Sequence, residues 1–311
     1  MAVTGRFAVT TGGMPLEAVV EAGRAAESLG YEALLVGEVR LEADAFVTAG
    51  AVLAATQRLR CGPGIANAYD RHPVALARAA AALDRVAPGR ALLGIGRSER
   101  ADVERVGLAW SPSPLEDALR IIRPLLAGQP VTHRGRRWSA SFDAAPERAS
   151  AGGRVPVLLA AVGPRTLRLG GALADGVILN YGAPPEYVRW AVEQVASGAR
   201  DAGRDPDEVD VYGLVLVACS EAPDFAARLE SVRRTVSAVM AIPDQGATLS
   251  APLGGPPREW DDATLRRYAA VGTRAECLAR IEEYRAAGLR CAVLMPSGMR
   301  ALHRPVAMIP R

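Results

Sequence analysis

Two short segments place glycine, a guanidinium and a hydroxyl side by side: Gly94-Ile95-Gly96-Arg97-Ser98-Glu99 and Val162-Gly163-Pro164-Arg165-Thr166. Each follows an apolar run and leads into a helix-period segment, so each reads as a strand-to-helix turn. Backbone N–H groups left unpaired at a helix start, reinforced by the helix dipole, favour an anion such as a phosphate. An ordinary βα turn, in which glycine and proline only set the geometry, has the same composition. A third segment, Arg60-Cys61-Gly62-Pro63-Gly64-Ile65-Ala66-Asn67-Ala68-Tyr69-Asp70-Arg71-His72-Pro73, breaks a buried-looking strand with glycines and proline before a polar rim. Glycine inside a strand loses packing and costs entropy, so it marks a bulge or the close approach of a flat object to the backbone. A planar ring cofactor is such an object, and a plain bulge at a sheet end is the alternative.

Glu38 ends the run Leu34-Leu35-Val36-Gly37-Glu38-Val39-Arg40, where a carboxylate at a strand end can donate a proton or hold a substrate. The alternative is a solvated loop glutamate paired with Arg40. Tyr69, Asp70, Glu99 and Tyr181 are weaker candidates of the same kind. Of the three histidines, His72 precedes Pro73 and reads as an anchor for a helix start, while His133 and His303 lie in a basic loop and a tail. No histidine pair or histidine–carboxylate cluster has metal-ligand spacing, and no Gly-x-Ser-x-Gly elbow suggests a serine hydrolase.

These residues need elements to position them. Apolar runs at Arg6–Thr10, Ala33–Val36, Arg60–Asn67, Ala91–Ile95, Val155–Ala161, Gly176–Asn180, Val209–Ala218 and Ala292–Met295 alternate with helix-period segments. The helices are expected at Pro15–Leu29, Asp44–Thr56, Pro73–Val86, Glu99–Leu108, up to about Ala127, Pro164–Leu173 and Pro184–Ala202. Eight strands with interleaved helices predict an α/β protein built as a (β/α)8 barrel, with its active site at the C-terminal strand ends. A doubly wound open sheet is the runner-up. The loop Gly128–Gly153 reads as an excursion over one face, and the Gly- and Pro-rich stretch Ala241–Pro257 as a mobile lid.

Composition narrows the class. With 50% hydrophobic residues the chain can bury a large core, and a net charge of +3 from 37 basic and 34 acidic residues gives no nucleic-acid or anionic-membrane surface. Cys61, Cys219, Cys277 and Cys291 are far apart in apolar or helical stretches, which suits free thiols in a reducing compartment. No apolar run reaches membrane-spanning length and no secretory leader pattern opens the chain, so a cytoplasmic protein is expected.

Taken together, several segments in order resemble the luciferase-like flavin and deazaflavin oxidoreductase family, most closely its methylenetetrahydromethanopterin reductase branch. They are Ala25-Ala26-Glu27-Ser28-Leu29-Gly30-Tyr31, Gly62-Pro63-Gly64-Ile65-Ala66-Asn67 with Arg71-His72-Pro73, Leu83-Asp84 through Gly89-Arg90-Ala91-Leu92-Leu93-Gly94-Ile95-Gly96, Gly163-Pro164-Arg165-Thr166, and Ala174-Asp175-Gly176-Val177-Ile178-Leu179-Asn180. The resemblance spans nearly the whole chain and implies one luciferase-like barrel domain over residues 1–311, a small-molecule substrate and a homodimer. It implies coenzyme F420, a deazaflavin that transfers hydride, with FMN in an oxygen-using monooxygenase as the alternative. A barrel that binds a cofactor or metabolite without turnover is a further alternative.

By the same resemblance, a non-prolyl cis bond at Gly64–Ile65 forms a bulge behind the ring, with Gly64, Ile65, Ala66 and Asn67 as its cofactor-binding residues. Asn67 and Asn180 would lie close to the ring. Gly96, Arg97 and Ser98 with Glu99, and Val162, Gly163, Pro164, Arg165 and Thr166, would bind the ribityl and phosphate portions. Many relatives carry an acidic residue followed by histidine after the second strand, whereas this chain has Glu38-Val39. A histidine donor there is excluded and the pterin substrate of the reductase branch is put in doubt; Glu38 becomes the candidate catalytic residue, with another residue, water or the substrate itself as alternative proton sources.

Overall fold

The computed structural model of this chain describes residues 5–38, 43–98, 100–110, 114–143, 154–220 and 225–296. The first half runs β1 (Arg6–Thr11), α1 (Leu16–Ser28), β2 (Ala33–Val36), α2 (Ala45–Ala55), β3 (Arg60–Pro63), β4 (Ala66–Asn67), α3 (Pro73–Val86), β5 (Leu93–Gly96), α4 (Arg100–Arg105) and α5 (Pro114–Leu126). A hairpin of β6 (Val131–Arg134) and β7 (Ser139–Phe142) follows. The second half is β8 (Val157–Ala161), α6 (Pro164–Leu173), β9 (Gly176–Leu179), α7 (Pro185–Asp201), β10 (Asp210–Cys219), α8 (Phe225–Met240), α9 (Pro243–Ser250), α10 (Asp262–Tyr268), β11 (Ala270–Gly272), α11 (Arg274–Ala286) and β12 (Cys291–Pro296).

The strands are parallel in the order β3-β2-β1-β12-β10-β9-β8-β5-β4, with β11 added alongside β10. A bridge between Cys61 and Ala91 joins the two edges: Cys61 N–H donates to Arg90 O at 2.9 Å, and Leu92 N–H donates to Cys61 O at 3.1 Å. This is the expected (β/α)8 barrel. Its interior is a small cluster in which Ala8 and Ala33 face Leu35, Leu92, Leu158, Ile178, Tyr212 and Val293, while the larger core lies between barrel and helices.

Local signals set the helices. Val19, Ala22, Gly23 and Ala26 make the buried stripe of α1. Pro73 opens α3 behind His72, whose Nδ1 accepts the Val74 N–H at 3.2 Å, and Thr273 with Glu276 forms a capping box on α11. The N-terminal end of the barrel carries a charged plug. There Arg6 bonds Glu32 at 2.6 Å, Asp210 at 2.9 Å and the Tyr212 hydroxyl at 2.9 Å. A cavity of about 260 Å³ at this end is bordered by Arg60, Arg154, Asp175 and Asp210, whose carboxylates are all paired with arginines.

Four expectations change. The strand over Arg60–Asn67 is two strands, because the chain turns at Gly64–Ile65. The loop after Gly128 contains the β6–β7 hairpin, while residues 144–153 lie outside the described ones. The stretch Ala241–Pro257 holds folded elements where an excursion without pattern was expected: α9 and the turn Ala251–Leu253 occupy it, with Leu249 and Ser250 fully buried. Strand β11 was not foreseen, since three residues are too few to carry a pattern.

Candidate active site

At the C-terminal rim, strand register decides which residues meet. Asn67 pairs with Gly96 across β4 and β5, Ile95 with Leu159 across β5 and β8, and Ala161 with Leu179 across β8 and β9. The segments beginning at Asn67, Gly96, Val162 and Asn180 therefore emerge side by side. Glu38 joins this arc from β2, its Oε2 accepting the Asn67 N–H at 3.1 Å.

The bulge itself is as expected, with the Gly64–Ile65 peptide cis. Its glycines have a different reason. A Cβ on Gly62 would collide with the Leu92 carbonyl, and one on Gly64 would lie 2.6 Å from Leu35 Cβ. On Gly94 and Gly96 it would lie 2.6 Å from Pro63 O and 2.5 Å from Ile65 Cδ1. The space beside these glycines is filled by neighbouring strands and by Ile65, so they serve the close packing of β3, β5 and the bulge rather than leaving room for a flat ligand.

Two turns retain donors for an anion. Gly163 is the N-cap of α6 without a side-chain cap, Pro164 occupies the first turn, and nothing lies within 4 Å of where a Gly163 Cβ would be. The N–H groups of Arg165 and Thr166 in that first turn are thus open to a ligand. Tyr187 fixes the preceding strand end, its buried hydroxyl donating to Val162 O at 2.6 Å. After β5, Ser98 has φ of 59°, a left-handed conformation, and the exposed Arg97 beside it brings a guanidinium donor to the turn. Glu99 lies outside the described residues. The side-chain oxygens of Asn67 and Asn180 accept the N–H groups of Tyr69 at 2.8 Å and Tyr181 at 2.9 Å, so each carboxamide also braces its own turn.

Glu38 is held on both oxygens. Arg71 Nη2 donates to Oε1 at 2.5 Å, and the Glu38 side chain is 17% exposed. Burial pushes its carboxyl above the ordinary glutamate range; Arg71 and the Asn67 N–H pull the other way, while Asp70 and Asp44 add repulsion. A strand-end carboxyl of this kind, holding its proton to higher pH than a solvated one, is suited to acid–base work.

A column of planar groups was not foreseen in the sequence. Arg97 lies 5.0 Å over the Trp110 ring, Trp110 stacks on Tyr69 at 5.2 Å and 10°, and Arg137 lies 5.6 Å from Tyr69 on the way to Trp138 at 5.1 Å. Tyr69 is fully buried, a wall of the rim rather than a reacting group. Trp138 Nε1 donates to Ala68 O and Arg137 Nη2 to Tyr69 O, both at 3.0 Å, which ties the hairpin to the segment after β4. An Arg-Arg-Trp run in a basic loop was the available signal, but its partners lie about seventy residues away. Among the described residues no group of His, Cys, Asp or Glu is arranged to hold a metal ion, all four cysteines are free and buried, and His303 lies outside them.

A family profile described as luciferase-like monooxygenase matches residues 1–291. The chain is 30% identical over 291 residues to a 5,10-methylenetetrahydromethanopterin reductase from Methanolobus tindarius, covering 86% of this chain and 87% of that one. It is 34% identical over 194 residues to an F420-dependent glucose-6-phosphate dehydrogenase from Microbacterium testaceum, covering 59% of this chain and 56% of that one. The structure of a coenzyme F420-dependent tetrahydromethanopterin reductase from Methanopyrus kandleri has the same fold, with a TM-score of 0.77, 21% identity and 98% of each chain covered. A profile matched over nearly the whole barrel places this chain in the luciferase-like monooxygenase family.

Proposed function

We propose that the protein is a coenzyme F420-dependent oxidoreductase acting on a small molecule, with Glu38 as its acid–base group. The observation that carries this reading is the unbroken arc from β2 to β9, which gathers Glu38, the bulge, and two anion-suited turns on one rim. The residues fit such a cofactor: the uncapped start of α6 and the turn at Arg97 and Ser98 offer donors to its phosphate and ribityl portions. Gly64, Ile65, Ala66 and Asn67 would back the ring, with Asn180 beside it. The reductase and dehydrogenase relatives support the same choice of cofactor.

When bound, F420 supplies hydride chemistry at its ring. The chain's own part is to hold and orient. In reduction of a C=N or C=C group Glu38 gives a proton to the atom beside the one that takes the hydride, and in oxidation of a C–OH group it takes the hydroxyl proton. Arg97 and the α6 N-terminus neutralise the anionic end of the cofactor.

The protein is read as one domain over residues 1–311, cytoplasmic and homodimeric. Free buried thiols support a reducing compartment. Support for a second copy comes from α2, which has no charged residue and leaves Val47 63% exposed.

The test is a fluorescence titration of the purified protein with oxidised F420 and, in parallel, FMN. Selective binding of the deazaflavin is expected, followed by turnover of a panel of imines, enones and alcohols. Selective FMN binding would replace the reading with an oxygen-using monooxygenase. Binding of neither would leave a non-catalytic barrel.

A further inference from the structure

One guanidinium nitrogen serves two carboxylates on different elements. Arg71 Nη2 donates to Glu38 Oε1 at 2.5 Å and to Asp44 Oδ2 at 2.7 Å. Glu38 lies two residues past β2 and Asp44 caps α2, so Arg71, reaching over from the turn after β4, joins the start and the end of the β2–α2 connection. The guanidinium carbon also lies 5.2 Å from the Phe46 ring centroid, which fixes the plane in which the fork is presented.

The two carboxylates are not equivalent. Asp44 keeps a second set of partners whatever Arg71 does, its Oδ1 accepting the Phe46 N–H at 2.8 Å and the Val47 N–H at 3.0 Å at the positive end of α2. Among the described residues Glu38 has only the Asn67 N–H besides Arg71. The charged groups that face it among those residues are Arg71, Asp70 and Asp44. Losing the Arg71 bond thus costs Glu38 its charge more readily than it costs Asp44.

We propose that Arg71 is a positioning residue that divides one nitrogen between Glu38 and Asp44 and thereby sets the pH at which Glu38 carries a proton. The functional consequence rests on the acid–base reading of Glu38 given above. When Glu38 is protonated, Arg71 stays paired with Asp44, so no half-buried cation is left without a counter-ion. When the Glu38 O–H bond breaks and its proton forms the new O–H or N–H bond of the substrate, the carboxylate produced finds Arg71 already in place.

Two variants of the full chain have opposite expected signs. Arg71→Met removes the cation at similar length and should move the Glu38 titration midpoint up by about one pH unit or more. Asp44→Asn keeps a capping oxygen for α2 but removes both the repulsion and the competitor for Arg71, so it should move the midpoint down by about half a unit. The readout is carboxyl 13C NMR on glutamate-labelled protein, with the Glu38 signal assigned by its loss in Glu38→Gln.

Midpoints that stay put, or move the same way in both variants, would overturn the proposal, as a purely structural Arg71 would produce them. If Arg71→Met does not fold, the sign of the Asp44→Asn shift alone decides. The titration does not depend on catalysis. Opposite shifts together with turnover indifferent to Glu38→Gln would uphold the division of Arg71 while removing Glu38 from the chemistry.

Discussion

At the scale of single residues, Glu38 is governed by a contest between burial and a shared arginine. Its carboxyl is held above the ordinary range, with burial the largest cause. A carboxyl raised in the folded state stabilises the fold fully below its unfolded midpoint and loses that contribution as pH rises through the folded one. Glutamine mimics the protonated form, so Glu38→Gln is expected to gain about 1–2 °C in Tm over wild type at pH 8 and little at pH 5. Thermal melts at the two pH values check this; a Tm loss at pH 8 would mean that the Arg71 pair outweighs burial. The sequence placed Glu38 at a strand end and offered Arg40 as its partner only under the alternative of a solvated loop glutamate; Arg40 lies outside the described residues. Its described partner is Arg71, 33 positions away, brought near by β4 ending beside β2.

At the scale of elements, the β6–β7 hairpin is held on the barrel by Asp117 together with the Arg137 and Trp138 bonds to the segment after β4. Asp117 of α5 accepts from His133 Nε2 at 2.8 Å, Arg137 N–H at 2.9 Å and Trp138 N–H at 3.1 Å. Burial works against its charge, but those three bonds hold its carboxyl below the ordinary aspartate range. A carboxyl lowered in this way keeps its contribution above the unfolded midpoint and loses it as pH falls through the folded one. The hairpin should therefore stay docked at neutral pH and loosen only in acid. Asp117→Ala leaves buried N–H groups unpaired at a cost of about 1–3 kcal/mol, and hydrogen exchange across residues 131–142 should quicken at neutral pH. Unchanged exchange there would show that Trp138 and Arg137 suffice. The sequence left this region as a loop because five of its eight strand residues are polar and their partners are remote.

At the scale of the whole molecule, the barrel puts its charged plug at one end and the candidate site at the other, the division expected where βα turns carry chemistry. The outer face of α2 is the surface proposed above for a second copy. Under that proposal, Val47→Lys places a charge there and should shift the protein to monomer in sedimentation velocity, with little change in far-UV circular dichroism. An unchanged mass would locate any dimer elsewhere or show that none forms.

The alternation of apolar runs with helix periods, the proline and glycine punctuation, and the ordered strand-end segments were enough by themselves to specify a parallel barrel and the rim where chemistry belongs. Those features are local: each depends on residues a few positions apart. What the sequence could not provide is what depends on register and long-range approach. The glycines flanking the bulge turned out to admit Leu35, Ile65 and neighbouring backbone. The arginine that holds Glu38 and the Trp110–Tyr69 column came from segments whose contact exists only once the sheet has closed. Pattern specifies the elements because hydrophobic burial has a period, whereas side-chain partners across the barrel are set by a closure that no local window contains.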